Sequence, residues 1–286
     1  MKKETDRVKL YRVERFTGEQ LAGLPDSLCR YAQAIGGLPK HHYEVFEKRG
    51  WLLPFLFTYD DLLWGRWTYW PDILLKGTIA GSGPIPQIQW TDTWSHPAQS
   101  TKKMLSSCLK HHEANIENFA DWLLWGLAAS EEALQISEQL NEYYYRSFDL
   151  FLLLDNPTDY LSGILCEQTG KGYKAGLGYY PTPFHLTCMM VKMVSEGVPE
   201  EMKRQTVNDP CVGCGAMLLP ASNYYLRGSG MDISSIAIKL CKIQMYFYAP
   251  WIAIPGQVKG FDEQEPIPLI VNSDSGIGQL AFNFKM

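Results

Sequence analysis

Two stretches of the sequence decide the fold: Asp209-Pro210-Cys211-Val212-Gly213-Cys214-Gly215 and Gly230-Met231-Asp232-Ile233. Glycines let the backbone turn tightly and approach a ligand closely, because they carry no side chain. A strand is predicted before the first stretch, at residues 205–208, and another through the second, at residues 228–233. An acid at the end of such a strand can accept hydrogen bonds from ribose hydroxyls, so the pattern indicates a cradle for a nucleotide-type ligand.

Helices are predicted between and after these strands. Residues 186–194, 216–225 and 234–248 have helical periodicity, and residues 267–271 form another short apolar strand. Strands that alternate with helices in this way predict a doubly wound α/β sheet, which is a Rossmann-like fold.

The first half of the chain differs, because its candidate elements are all helices. The predicted helices cover residues 18–34, 42–49, 102–127 and 130–148, with an irregular insert rich in glycine and proline at residues 77–97. We therefore expect a helical domain at residues 1–147 and the α/β domain at residues 148–286. Trp122 and Trp125 lie three positions apart, so we expect them to pack between helices.

The composition indicates a globular protein with a buried core. Of the 286 residues, 46% are hydrophobic, no apolar run is long enough to cross a membrane, and the first residues lack a signal-peptide pattern. We expect a cytoplasmic protein without a membrane partner, with its 7 scattered cysteines reduced. A net charge of -5 argues against unaided binding to duplex DNA, so contact with DNA would need a local basic patch or a partner.

The motifs of the second half resemble those of the adenine-N6 DNA methyltransferases, especially the modification subunits of type I restriction systems. The resemblance covers residues 145–272 and includes the segment Tyr180-Pro181-Thr182-Pro183. It implies a Rossmann-like methyltransferase domain that binds S-adenosylmethionine and transfers a methyl group to adenine N6 in DNA. The residues that match the family's cofactor-binding positions are Tyr180, Thr182, Pro183, Asp209, Pro210, Gly213, Gly215, Asp232, Ile233 and Asp262.

The resemblance also implies a role for particular residues. Asp232 would bind both ribose hydroxyls, the segment around Thr182 would close over the cofactor, and Asp262 would accept a hydrogen bond from the cofactor's adenine amine. The catalytic position matches Asn272, which would hold the amine of the target adenine, a poor nucleophile that needs positioning. The family's proline pair and stacking aromatic are replaced here by Ser273-Asp274-Ser275. No metal is expected.

The predicted sheet is shorter than that of the family. Residues 267–271 would be its fourth strand, and only residues 273–286 follow Asn272, whereas the family's sheet has three further strands. The bare apolar edge would need a cover, which we expect from a partner chain, from self-association or from the N-terminal helices.

Three interpretations stay open. The chain is an adenine methyltransferase that acts alone or with a partner subunit, or it is one piece of a split enzyme. Alternatively, it is a catalytically inactive relative that serves a mobile element as a structural or regulatory subunit.

Cys211 and Cys214 form a Cys-x-x-Cys pair inside the glycine turn. A zinc site needs two further ligands, and His185 and Cys188 are candidates that lack the spacing of familiar zinc sites. We expect the two cysteines to act as small residues that fill the turn.

Overall fold

The computed structural model of the protein describes residues 11–169 and 180–259 and the backbone of residues 270–271. Of the predicted site residues, Asp262 and Asn272 lie outside these ranges. None of the helices in the described ranges combines the length and apolar character that a membrane crossing requires.

The first half folds into helices, as predicted. Their first turns are fixed by side chains that accept hydrogen bonds from backbone N–H groups, such as Thr17 in the first helix and Ser95 before the fourth. The helices are α1 (Gly18–Gln33), α2 (Leu53–Leu63), α3 (Arg66–Lys76), α4 (His96–Cys108), α5 (Ile116–Gly126), α6 (Glu138–Ser147), α7 (Leu150–Asp155) and α8 (Leu161–Gln168), with 3-10 turns at Val13–Arg15 and His42–Phe46.

Two long predicted helices were wrong in extent. The prediction for residues 102–127 is replaced by two helices, because Asn115 caps α5 by accepting a hydrogen bond from Asn118 N at 2.8 Å. The prediction for residues 130–148 holds only after Ser137, whose hydroxyl caps α6. In both cases a polar side chain upstream of the apolar residues sets the start of the helix.

The predictions for two shorter segments had different outcomes. Residues 42–49 form only the 3-10 turn His42–Phe46. The insert at residues 77–97 is irregular as predicted, until α4 begins at its end.

The second half contains the predicted strands. They match the predicted bounds within one residue, except that residues 267–269 of the last one lie outside the described ranges. The elements are α9 (Phe184–Val194), α10 (Pro199–Met202), β1 (Thr206–Asp209), α11 (Leu218–Ala221), β2 (Arg227–Asp232), α12 (Ser235–Tyr248), α13 (Pro250–Ala253) and β3 (Ile270–Val271).

Helix α11 is much shorter than the predicted helix at residues 216–225. The hydroxyl of Ser222 donates to Leu219 O at 2.6 Å. The side chain of Asn223 binds the backbone of Ile88, accepting from its N–H at 3.1 Å and donating to its carbonyl at 2.9 Å. The helix ends here because these side chains hydrogen-bond to backbone groups, one of them in the insert.

The three strands are parallel, with β2 between β1 and β3. In a doubly wound sheet of order 3-2-1-4, the place beside β2 belongs to the third strand, whereas the fourth lies beside the first. The pairing therefore corrects our prediction that the last strand is the fourth. Among the described residues, β1 is paired on one side only.

One hydrophobic core extends through both predicted domains, from Val45 to Val258. Trp122 and Trp125 are buried in it, and their indole N–H groups donate to Asn141 Oδ1 at 2.9 Å and to Val45 O at 2.6 Å. The predicted packing role of these tryptophans is confirmed. The domain boundary after residue 147 stays a prediction, since this core is continuous across it.

Arg66 on α3 connects the two halves from inside the core, where it is 1% exposed. Its guanidinium donates to Pro86 O at 2.8 Å, Ser222 Oγ at 2.9 Å, Tyr248 O at 2.5 Å and the side-chain oxygen of Asn223. Burial lowers the pKa of Arg66 to about 9, and the nearby carboxylate of Asp60 opposes that shift. A buried cation needs hydrogen-bond acceptors in place of water, and these buried acceptors need its N–H groups as donors.

Replacing Arg66 with alanine leaves several buried acceptors without a donor. We expect Arg66→Ala to lower the free energy of unfolding by about 3 kcal/mol or more, measured by urea denaturation. Lys76→Ala, at an exposed position of the same helix, is the matched control and should change it by less than about 0.5 kcal/mol. Equal effects of the two substitutions would show that this network does not hold the halves together.

Candidate functional site

Two acids at the ends of parallel strands form the base of the candidate site. Asp209 ends β1 and Asp232 ends β2, and the strand register brings both ends to one edge of the sheet. Burial raises the pKa of Asp209, a hydrogen bond from Cys211 N at 3.1 Å opposes that shift, and the charge of Asp232 adds to it. The carboxylate of Asp232 is therefore close enough to act on that of Asp209.

The glycine turn lies against the second acid. Gly213 N donates to Asp232 Oδ2 at 2.9 Å, and Ser234 N donates to Asp232 Oδ1 at 2.8 Å. The turn is also held to β2 by a hydrogen bond of 2.9 Å from Val212 N to Met231 O. Each carboxylate oxygen has two lone pairs, so Asp232 retains acceptor capacity for the hydroxyl groups of a ligand.

Gly213 and Gly215 serve this turn in different ways. Both have left-handed backbone angles, with φ of 53° and 95°, which glycine adopts without strain. A Cβ atom on Gly215 would lie 2.7 Å from Met245 Cε and 3.0 Å from Cys241 Sγ, both on α12. Gly215 thus allows the turn to pack on a helix, and its predicted place beside a cofactor stays a prediction.

Gln244 on α12 links the turn to the start of α8. Its amide nitrogen donates to Cys214 O at 2.7 Å and to Asp159 Oδ1 at 2.9 Å, and its oxygen accepts from Leu161 N at 3.4 Å. Both N–H groups of the buried amide are used. Gln244 therefore fixes the turn, Asp159 and α8 in one arrangement.

Asp159 lines a cavity of about 220 Å³, which also includes part of the predicted Thr-Pro segment. Burial raises the pKa of its carboxyl group, and hydrogen bonds from Ser162 and Gln244 oppose that shift. The cavity is lined by Thr93, Trp94, Ala98, Gln99, Lys102, Thr158, Asp159, Tyr160, Ser162, Gly163, Pro181, Thr182, Pro183, Phe184 and His185.

The predicted cofactor-binding residues fall into separate groups. Asp209, Gly213 and Asp232 come together at the strand ends, whereas Thr182 and Pro183 line the cavity. The side chains of Tyr180, Pro210 and Ile233 are exposed to solvent, Tyr180 at 76% and Ile233 at 52%. Asp262 and Asn272 lie outside the described residues, so their roles stay predictions.

The two cysteines of the Cys-x-x-Cys pair lie in different environments. Cys211 is exposed, whereas Cys214 is buried. Within the described ranges, the cluster of potential metal ligands is His111-His112-Glu113, on the loop between α4 and α5. The zinc alternative for the turn therefore gains no further ligand from the described residues.

Sequence reasoning missed the part that the insert and α4 play in the cavity. Trp94, Gln99 and Lys102 line it, although they precede the Thr-Pro segment by about eighty positions. A usable signal was present in Asp92 and Ser95, since such residues form a turn and a helix cap that fix the tryptophan between them. Trp94 is 78% exposed, unlike the tryptophans of the core.

Alanine at position 215 would place a side chain against α12 in left-handed backbone. We expect Gly215→Ala to lower the free energy of unfolding by about 1–3 kcal/mol, measured by urea denaturation. Gly23→Ala is the matched control, because a Cβ there meets nothing within 4 Å, and it should stabilise α1 by about 0.4–1 kcal/mol. Unchanged stability of Gly215→Ala would contradict the packing of the turn on α12.

Comparison with protein-family models, curated proteins and solved structures gives no match for this chain.

Proposed function

We propose that the chain is a methyltransferase-fold protein that binds S-adenosylmethionine at the glycine turn. The observation that supports this most is the hydrogen bond from Gly213 N to Asp232 Oδ2, which holds the turn on a strand-end acid. Parallel strands, a glycine turn and an acid after the second strand are the arrangement that binds nucleotide cofactors in doubly wound sheets. The motif resemblance to adenine-N6 DNA methyltransferases supports the same ligand.

The residues of the turn offer the contacts that an adenosyl group needs. Asp232 would accept hydrogen bonds from the two ribose hydroxyls through the lone pairs that Gly213 N and Ser234 N leave available. Ile233, which follows directly, offers an exposed apolar side chain to the adenine ring. S-adenosylmethionine, when bound, supplies an activated methyl group, so the protein need not form a covalent intermediate.

The proposed methyl acceptor is adenine N6 in DNA. This step rests on the resemblance, in which Asn272 would hold the target amine by accepting its hydrogen bond. The net charge of -5 makes a partner subunit the simplest source of DNA affinity. We infer that the partner adds a strand beside β1, which is paired on one side only among the described residues.

The order of the strands favours a second candidate, a catalytically inactive relative that keeps the cofactor site. Ligands of doubly wound sheets bind where the strand order reverses, between the first and fourth strands. Because β3 pairs with β2, it lies away from that crevice, and Asn272 directly follows β3 in the sequence. Such a protein would serve as a structural or regulatory subunit.

Titration calorimetry tests the cofactor proposal. We expect the intact chain to bind S-adenosylmethionine and its demethylated product, S-adenosylhomocysteine. Asp232→Ala should weaken binding at least tenfold, because hydrogen bonds to a charged group contribute about 1.5–3 kcal/mol each. Asp72→Ala, at an exposed acid of α3, is the control and should leave binding unchanged. Failure of the intact chain to bind either ligand would reject the proposal.

Protection of DNA from restriction separates the two candidates. DNA from cells that express an active methyltransferase resists cleavage by a matching nuclease, and Asn272→Ala should abolish this resistance because the target amine loses its acceptor. Full resistance in Asn272→Ala would remove that residue from catalysis. Cofactor binding without any resistance, also in the presence of the partner, would favour the inactive relative.

A further inference from the structure

We propose that the cavity beside Asp159 binds one unpaired nucleobase that carries an exocyclic amine, stacked on Trp94 and hydrogen-bonded to the carboxylate of Asp159. The cavity is lined in part by Thr182 and Pro183, and Gln244 links its Asp159 to the glycine turn, so it adjoins the proposed cofactor site. The inference does not depend on methyl transfer.

Trp94 provides the stacking surface at this cavity. Its side chain is 78% exposed, whereas Trp70, Trp122 and Trp251 are at most 2% exposed. Stacking of another flat ring on an exposed indole buries its apolar face, which is favourable. Proteins commonly bind unpaired bases by stacking them on aromatic side chains.

The backbone around Trp94 is held in place. Trp94 N donates to Asp92 Oδ1 at 3.0 Å, and the next residue, Ser95, caps α4. A further hydrogen bond of 2.7 Å joins Thr91 N to Pro157 O, close to Asp159 in the sequence. The backbone that carries Trp94 is thus joined to the backbone near Asp159 before any ligand arrives, so binding does not have to order these segments.

Asp159 provides the specificity for a base with an exocyclic amine. Ser162 N and Gln244 Nε2 both donate to its Oδ1, at 3.2 Å and 2.9 Å, so Oδ2 retains acceptor capacity. A carboxylate accepts from the exocyclic amine of cytosine or adenine. Thymine presents a carbonyl oxygen at the equivalent position, and two acceptors repel one another.

The size and charge of the cavity fit a single neutral ring. Its volume is about 220 Å³, well above the roughly 10–15 Å³ that one water molecule needs, so it has room for a small ring. Lys102, in the lining, is paired with Glu167 at 2.6 Å. This pairing reduces the positive charge available to a ligand with a carboxylate, such as the amino-acid end of S-adenosylmethionine, and favours a neutral base.

Quenching of tryptophan fluorescence by acrylamide locates the ligand, because Trp94 is highly exposed. Cytidine and thymidine are titrated with S-adenosylhomocysteine present at saturation, or without it if it does not bind. We expect cytidine to shield Trp94 and, by calorimetry, to bind at least about fivefold tighter than thymidine. An oligo(dC) strand that binds more tightly than cytidine would identify nucleic acid as the source of the base. Equal binding of the two would identify a free nucleoside as the ligand. Both outcomes support the site.

Variants separate stacking from hydrogen bonding. Trp94→Ala should weaken cytidine binding about 5- to 150-fold, and Trp94→Phe should restore most of it, because phenylalanine keeps an aromatic face. Asp159→Asn should remove the preference for cytidine over thymidine, since an amide also donates. Leu75→Ala, at an apolar residue that is 86% exposed and outside the cavity lining, is the control and should change nothing.

Three results would overturn the inference. Equal affinity for cytidine and thymidine would remove the role of Asp159. Cytidine binding without shielding of Trp94 would place the ligand elsewhere. Shielding of Trp94 by S-adenosylhomocysteine, with loss of cytidine binding, would assign the cavity to the cofactor. Failure of S-adenosylhomocysteine to bind would count against the proposed function alone, because the cytidine titration does not need it.

Discussion

The side chain of Gln244 is the constraint on which both sites depend. It is 1% exposed, and its amide holds Cys214 of the glycine turn, Asp159 of the cavity and Leu161 at the start of α8. A buried amide that loses a partner pays the desolvation cost of an unsatisfied polar group. The turn and the cavity therefore cannot move independently of α12.

The two proposed ligand sites differ in the side chains they present. The strand ends present Asp209 and Asp232, carboxylates suited to ribose hydroxyls, beside the backbone of a glycine turn. The cavity presents a flat indole, Trp94, and a carboxylate, Asp159, which suit a ring with an amine. Gln244 connects them through its hydrogen bonds to Cys214 O and Asp159 Oδ1.

The local parts of the α/β half could be predicted from the sequence. Strands β1 and β2 and helix α12 are marked by glycines, by the acids that end the strands and by the cap residue Ser234, and these signals lie within a few residues of the elements they determine. The meeting of Asp209 and Asp232 followed from the parallel strands that this pattern predicts.

The rest depends on contacts between distant parts of the chain. The place of β3 beside β2 is a matter of strand pairing, which the residues of β3 do not specify by themselves. The shortness of α11 depends on Asn223 reaching Ile88 in the insert. The packing role of Gly215 depends on Met245 of α12, which lies against it and is distant in the sequence.

A crystal structure with S-adenosylhomocysteine tests the cofactor site most directly. It should show both ribose hydroxyl oxygens within about 3 Å of the Asp232 carboxylate, with the cavity at Asp159 open. An adenosyl group bound away from the glycine turn, or ribose oxygens that do not contact Asp232, would contradict the site described above.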